Sequence, residues 1–194
     1  MASRSPRRRE LLTQIGVAFD LLEISVPEVP GGDETPRNYN IRVACDKARA
    51  GAKRRTDLRP VLGADTEVVL NEEVFGKPAD AAAARQMLEK LAGKTHEVLS
   101  TVAVVDAAGA LDYRQQISQV TFAPLSRERI NAYCASGEYA GRAGAYAIQG
   151  LGSLLVEQLT GSFSGVMGLP LYETAALLRR AGVANLLGQD EGHG

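Results

Sequence analysis

The chain has 194 residues, 45% of them hydrophobic, which is enough for one domain with a buried core. A net charge of −1 and only 5% aromatic residues argue against a nucleic-acid partner, which would call for an overall basic surface or stacking platforms. No apolar run nears the roughly 20 residues of a membrane span, and the N-terminus lacks the apolar core of a signal peptide, so the expectation is a cytoplasmic protein with no membrane partner.

In chain order, Ser5 as N-cap and Pro6 at the first helical position predict a helix to about Ile15. Its first turn carries Arg7, Arg8 and Arg9, where a helix terminus is already positive. With the Ser3 and Ser5 hydroxyls and free N–H groups, the segment suits a phosphate or polyphosphate; a solvated basic tail running from Arg4 to Arg9 is the alternative. Arg8→Ala is expected to cost turnover without lowering the melting temperature. Val17 to Val26 reads as a strand ending at Pro27, followed by an acidic loop. Thr35 or Pro36 opens a helix to about Arg55, with Ile41, Ala44, Cys45 and Ala48 on one face and Lys47 beside that stripe, able to reach a groove or water.

Val61 to Ala64 reads as a buried strand ending at Asp65-Thr66, and Glu67 to Leu70 as one arm of a hairpin with Val74 to Lys77. Asp80 caps an Ala-rich helix closed by Gly93. His96 to Val105 and Leu111 to Phe122 form two antiparallel strands around a turn at Ala108-Gly109. Ser126 begins a helix ended near Gly137, a Gly-rich stretch over 141–152 leads to a strand from Leu154 to Leu159, and a last helix runs from about Pro170 to Ala181. The reading is one domain over 1–188 with a frayed tail over 189–194.

Asp65 and Thr66 place a carboxylate and a hydroxyl at a strand end, where open α/β sheets keep ligand sites, although a strand-end Asp also serves as a cap or turn residue. Gly76-Lys77-Pro78 adds a cation about a dozen residues on. Gly93-Lys94-Thr95 is no P-loop, because it follows a helix, and Gly150-Leu151-Gly152 lacks the third glycine of a dinucleotide fingerprint. Cys45 and Cys134 read as packing thiols, and His96 and His193 form no zinc cluster.

Taken in order, Ala2-Ser3-Arg4-Ser5-Pro6-Arg7-Arg8, Arg42-Val43-Ala44 with Lys47-Ala48, Gly63-Ala64-Asp65-Thr66, Gly76-Lys77-Pro78, Ala143-Gly144-Ala145-Tyr146 with Ile148-Gln149-Gly150, and Gly168-Leu169-Pro170 resemble the Maf family of nucleoside triphosphate pyrophosphatases over nearly the whole chain. The resemblance implies a two-lobed, ITPase-like α/β fold (mixed α+β) with a curved mixed sheet, flanking helices and a central nucleotide cleft. It also implies a homodimer and hydrolysis of a nucleoside triphosphate to monophosphate and pyrophosphate with magnesium or manganese. By the family pattern Ser3, Arg7, Arg8, Thr66 and Gln149 bind substrate. Lys47, Lys77, Asp65 and Glu28 are catalytic, with Glu28 and Asp65 as metal ligands. Glu28 matches the early acidic residue most closely, with Asp33 and Glu34 nearby, and Asp65 is either base or ligand. The stretch 142–150 resembles the branch acting on deoxythymidine and uridine triphosphates; a 7-methylguanosine triphosphate enzyme is the other branch, and a non-catalytic regulator of septum formation the other class. Only Met1 and Ala2 precede the serine–arginine motif, so a truncated first strand is expected.

Overall fold

The computed structural model describes residues 1–3 and 5–184; Arg4 and the tail expected over 189–194 lie outside the described residues. Four helices start where the sequence supplies a cap. Ser5, Thr35, Asp80 and Ser126 each accept a backbone N–H from three residues on, opening α1 (Pro6–Gln14), α2 (Pro36–Ala52), α3 (Ala81–Leu91) and α4 (Arg127–Ala135). Two further helices, α5 (Phe163–Met167) and α6 (Leu171–Arg180), follow the last strand.

The five strands are β1 (Val61–Leu70), β2 (Glu73–Phe75), β3 (Thr95–Val105), β4 (Leu111–Phe122) and β5 (Val156–Thr160), in the order β2-β1-β3-β4-β5. Every pairing among them is antiparallel. The mixed character expected of the sheet comes down, among the described residues, to a single parallel bridge between Ala2 and Gly63. Three readings are corrected. Val17 to Val26 is not a strand: its backbone makes only scattered bonds among the described residues, Val17 N–H to Leu12 O at 3.2 Å, Leu22 N–H to Met1 O at 3.0 Å, the Met1 amino group to Asp20 O at 2.6 Å and Arg54 NH1 to Glu23 O at 2.5 Å, and no ladder. β1 does not end at Asp65 but runs on to Leu70, because α2 covers the face that Asp65 occupies, and Asp65 stands mid-strand opposite Thr101. β5 starts at Val156, since Leu151–Leu155 winds into a 3₁₀ turn.

Side-chain alternation gives the sheet two differently clothed faces. On one, Ala44, Cys45 and Ala48 of α2 pack on Ala103 and Val105. Gly63 makes this possible: a Cβ there would lie 2.6 Å from Ala44 O and collide with Ala48 N, so the helix backbone rests directly on the strand. On the other face two clusters form. Leu11, Leu12, Leu177 and Leu178 cover Leu62, Ala64, Val102 and Val104. Farther along, Leu88, Leu91, Ile130 and Tyr133 cover Val98, Val120 and Phe122. Met167 packs against both, and these are the two lobes on either side of the cleft.

His96 sits inside the second cluster, edge-on to Phe122 and Tyr146, with Nε2 2.9 Å from the Tyr146 hydroxyl and Nδ1 without a partner. Burial pushes its pKa down to about 4. The folded imidazole is therefore neutral, while the unfolded one titrates near 6.5, about the model-peptide value. Its contribution is fully present above the unfolded value and is lost as pH falls from there through the folded one. The melting temperature should drop less between pH 7 and pH 4.5 in His96→Gln than in the parent; equal drops would show that His96 does not contribute to acid sensitivity.

Candidate active site

The cleft between the lobes encloses about 460 Å³. One wall is the edge of a core cluster, with Val68, Val98, Ala143, Tyr146, Val166 and Met167. The remainder is polar and cationic, with Ser3, Ser5, Arg7, Arg8, Lys47, Lys77 and Arg142 beside Glu28 and Thr66. The cations fall into two groups. Arg8 and Lys47 are satisfied by the protein: Arg8 Nε donates to Gly168 O at 2.8 Å, NH1 to Ala64 O at 2.8 Å and Ser3 Oγ at 3.4 Å, and NH2 to Thr66 Oγ1 at 3.2 Å. Burial lowers the Arg8 pKa, opposed by the charges of Asp65, Glu28 and Glu67. Arg7, Lys77 and Arg142, by contrast, make no side-chain hydrogen bond or ion pair among the described residues, and Arg142 Nε is buried without a partner. Arg7 and Arg142 are near neighbours. Burial first, then the Arg142 charge, draws the Arg7 pKa below its ordinary value.

α2 delivers Lys47, 9% exposed, to the rim of the sheet. Its ammonium lies 2.8 Å from Glu28 Oε1 and 2.8 Å from Asp65 Oδ1, joining the loop carboxylate to the strand carboxylate. Asp65 is 4% exposed and stands behind Lys47 rather than on the cleft wall; its Oδ2 accepts from Asn40 Nδ2 at 3.0 Å. Glu67, 9% exposed, lies two residues along on the same face of β1. Burial, then the charge of Asp65, holds its carboxyl well above the usual carboxylate range. Of the three acids in the loop, Glu28 meets Lys47, while Glu34 is clamped by Arg42 at 2.7 and 2.8 Å, accepts Gly31 N–H at 3.0 Å, and so serves as the loop's strut; Asp33 is exposed.

The structure thus gathers Ser3, Arg7, Arg8, Glu28, Lys47, Thr66 and Lys77 around one cleft, sets Asp65 one layer back behind Lys47, and leaves one expected member out. Gln149 is exposed and does not line the cleft; its segment contributes Gly141, Arg142, Ala143 and Tyr146 instead. Glu67, Arg142 and Asn40 are absent from the residues singled out by sequence. Period-2 alternation from Asp65 could have found Glu67, whereas Asn40 becomes visible only when α2 is laid over β1.

An antiparallel sheet flanked by helices, with a cleft whose guanidinium and ammonium groups lack partners among the described residues beside a carboxylate pair, defines an α/β protein with a cationic cleft of the charge a polyanion would match. The family model described as Maf-like protein matches residues 1–181. The chain belongs to the Maf family. It is 52% identical over 185 residues to a dTTP/UTP pyrophosphatase of Xanthomonas campestris, covering 94% of this chain and 97% of that protein. It is also 52% identical to a dTTP/UTP pyrophosphatase of Methylococcus capsulatus, over 94% of this chain and 90% of that one. A nucleoside triphosphate pyrophosphatase of Xylella fastidiosa is 50% identical, over 92% and 95%.

The contacts of Arg8 reverse the expectation that it acts on substrate alone. Removing its guanidinium strips a donor from the Ala64 and Gly168 carbonyls, of which Gly168 O keeps the Thr66 hydroxyl at 3.2 Å, at about 1–3 kcal/mol for a buried group left unpaired. Arg8→Ala should therefore melt several degrees below the parent, and Arg8→Lys, which cannot span four acceptors, should restore little. A parental melting temperature in Arg8→Ala would show that these contacts do not hold the fold.

Proposed function

We propose that the protein hydrolyses nucleoside triphosphates, dTTP and UTP foremost, to the monophosphate and pyrophosphate. The observation that carries this reading is the trio Arg7, Lys77 and Arg142, cations lining the cleft with no side-chain acceptor among the described residues, next to carboxylates that can act on a bound phosphate. A triphosphate supplies the missing anion. The relatives named dTTP/UTP pyrophosphatase, about half identical over most of the chain, support both the reaction and the base.

In the reaction, water adds to the α-phosphorus, the bond from that phosphorus to the bridging oxygen breaks, and pyrophosphate leaves with the electron pair. Arg7, Lys77 and Arg142 neutralise the charge that builds on the departing group, with the Ser3 hydroxyl and the N–H groups at the start of α1 as further donors. Lys47 is drawn from its two carboxylates toward the phosphates, which frees Asp65 Oδ1 to take the proton of the attacking water. Arg8 and Thr66 hold the floor, and the nucleoside lies against Val68 and Tyr146.

Glu28 and Asp65 fit a hard divalent cation, magnesium or manganese: their oxygens already flank a cation at 2.8 Å each. Among the described residues no group of three or more His, Cys, Asp or Glu side chains gathers; an ion held by these two carboxylates would take water and phosphate in its remaining positions. Such an ion would add charge neutralisation at the phosphates. The reading includes a cytoplasmic homodimer that clears non-standard pyrimidine triphosphates, on the strength of the family resemblance. Among the described residues, no helix is long and apolar enough to cross a membrane.

A pyrophosphate-release panel tests this. Turnover of dTTP and UTP should exceed that of ATP and GTP by at least about tenfold in kcat/KM, a modest demand on a site that can reject a mismatched polar edge by up to about 10⁴. A panel led by 7-methyl-GTP would overturn the base assignment, and binding without any turnover would favour a regulatory role. Arg7→Ala should cost about ten- to a hundredfold in kcat/KM, the worth of a charge-assisted bond of about 1.5–3 kcal/mol, with the melting temperature unchanged. Asp65→Asn should lower kcat by about 10²–10⁴; near-normal turnover in that variant would sink the mechanism.

A further inference from the structure

Asp65, Thr101 and Gln115 stand side by side on three adjacent strands, Asp65 paired with Thr101 and Thr101 with Gln115 in the sheet register. Their side chains share one neighbour on the helix above, Asn40 of α2, which is fully buried. Asn40 Nδ2 donates to Asp65 Oδ2 at 3.0 Å, while Asn40 Oδ1 accepts from Thr101 Oγ1 at 2.5 Å and from Gln115 Nε2 at 3.2 Å. Gln115 is itself held by Arg37 O at 3.2 Å and by Thr101 Oγ1 at 3.3 Å.

An amide has one donating and one accepting end, so its orientation is decided by its neighbours. Here both ends agree. Thr101 and Gln115 bring donors to one side, and the Asp65 carboxylate brings only an acceptor to the other. Turning Asn40 over would set its oxygen against a carboxylate oxygen and its NH2 against the Gln115 NH2, at a buried site where an unmade hydrogen bond is costly. The carboxylate in turn cannot rotate freely, because Oδ2 is tied to Asn40. That leaves Oδ1 as the oxygen on Lys47 Nζ, the same ammonium that reaches Glu28.

We propose that Asn40 is a positioning residue: with Thr101 and Gln115 it binds one oxygen of Asp65 to the fold and presents the other to Lys47 and the phosphates. The kinetic part of this inference rests on the triphosphate hydrolysis proposed above; the geometric part does not. Asn40 touches neither substrate nor reacting atoms and works only through Asp65. Partners of this kind, one step removed from the reacting groups, are typically worth about 10–100-fold in activity.

Three variants test it on the full chain, with dTTP as substrate. Asn40→Leu keeps the side chain's size and removes the donor; kcat should fall about 10–100-fold while KM stays within about threefold. Asn40→Asp sets a second carboxylate against Asp65 and should be the worse of the two. Thr101→Val removes one of two donors to the amide oxygen and should cost less than about tenfold, since Gln115 still fixes the amide. A lowered melting temperature with unchanged kcat and KM in Asn40→Leu would mark the network as structural and overturn the inference. A crystal structure of Asn40→Leu gives the second readout: the Asp65 carboxylate should turn about its last side-chain bond and leave Lys47. An unmoved Asp65 overturns the inference whatever the kinetics. If the parent turns over no triphosphate, the proposed function fails, and that crystal structure decides the positioning role alone.

Discussion

The cleft exists because one guanidinium ties together pieces of chain that are far apart in sequence. Arg8 reaches Ala64 O and Thr66, 56 and 58 residues on, and Gly168 O, 160 residues on. It fastens the start of α1 to the middle of β1 and to the end of α5. Each of these segments contributes to the cleft: the first the serines and Arg7, the second Thr66 and Val68, the third Met167 and Gly168. A guanidinium suits this task because its five donors lie in one plane and stay charged at any physiological pH, so one side chain can meet carbonyls and a hydroxyl from several directions. A lysine offers a single point.

Charge around the cleft is divided by use. Arg8 and Lys47 have acceptors or carboxylates in contact, and the acids Glu28, Asp65 and Glu67 act on them. Arg7, Lys77 and Arg142 have no such contact among the described residues. The first group stabilises the free protein. The second makes its free state slightly worse, through repulsion between Arg7 and Arg142 and an Arg142 Nε buried without a partner among the described residues, a cost that the triphosphate of the proposed reaction would relieve. Counting arginines and lysines in the sequence cannot make this division, since Arg7 and Arg8 are adjacent and identical in type yet differ in what they touch.

Local rules made much of the fold legible. Caps at Ser5, Thr35, Asp80 and Ser126 each depend on one hydroxyl or carboxylate and the next turn, and each is found where its residue type stands. The hairpin after Leu70 closes on Asn71 and Glu72, both at positive φ, with Asn the residue type that tolerates it best. What failed needed tertiary partners. Val17 to Val26 has a strand's composition but no ladder to join, and the pair Asp65-Thr66 looked like a strand's end because nothing local says that α2 will bury the carboxylate with Asn40 and Lys47. Gln149 looked like a cleft residue from its place in a Gly-rich motif, yet the turns on either side carry it outward. Asn40 was invisible because its partners are 25, 61 and 75 residues away.

The missing side chain at Gly63 has a reach beyond packing. Because the strand is bare at that point, α2 lies with Ala44 O and Ala48 N against it, and Lys47 belongs to the same helical turn. The gap between helix and sheet is therefore set by a hydrogen atom, and that gap fixes how far the Lys47 ammonium stands above Asp65. Gly63 works as a gauge block: the electrostatic contact in the cleft is calibrated two residues upstream by the absence of a methyl group. For the proposed mechanism, in which Lys47 lets go of one partner to grip another, the thickness of that spacer is as much a part of the site as the charges themselves.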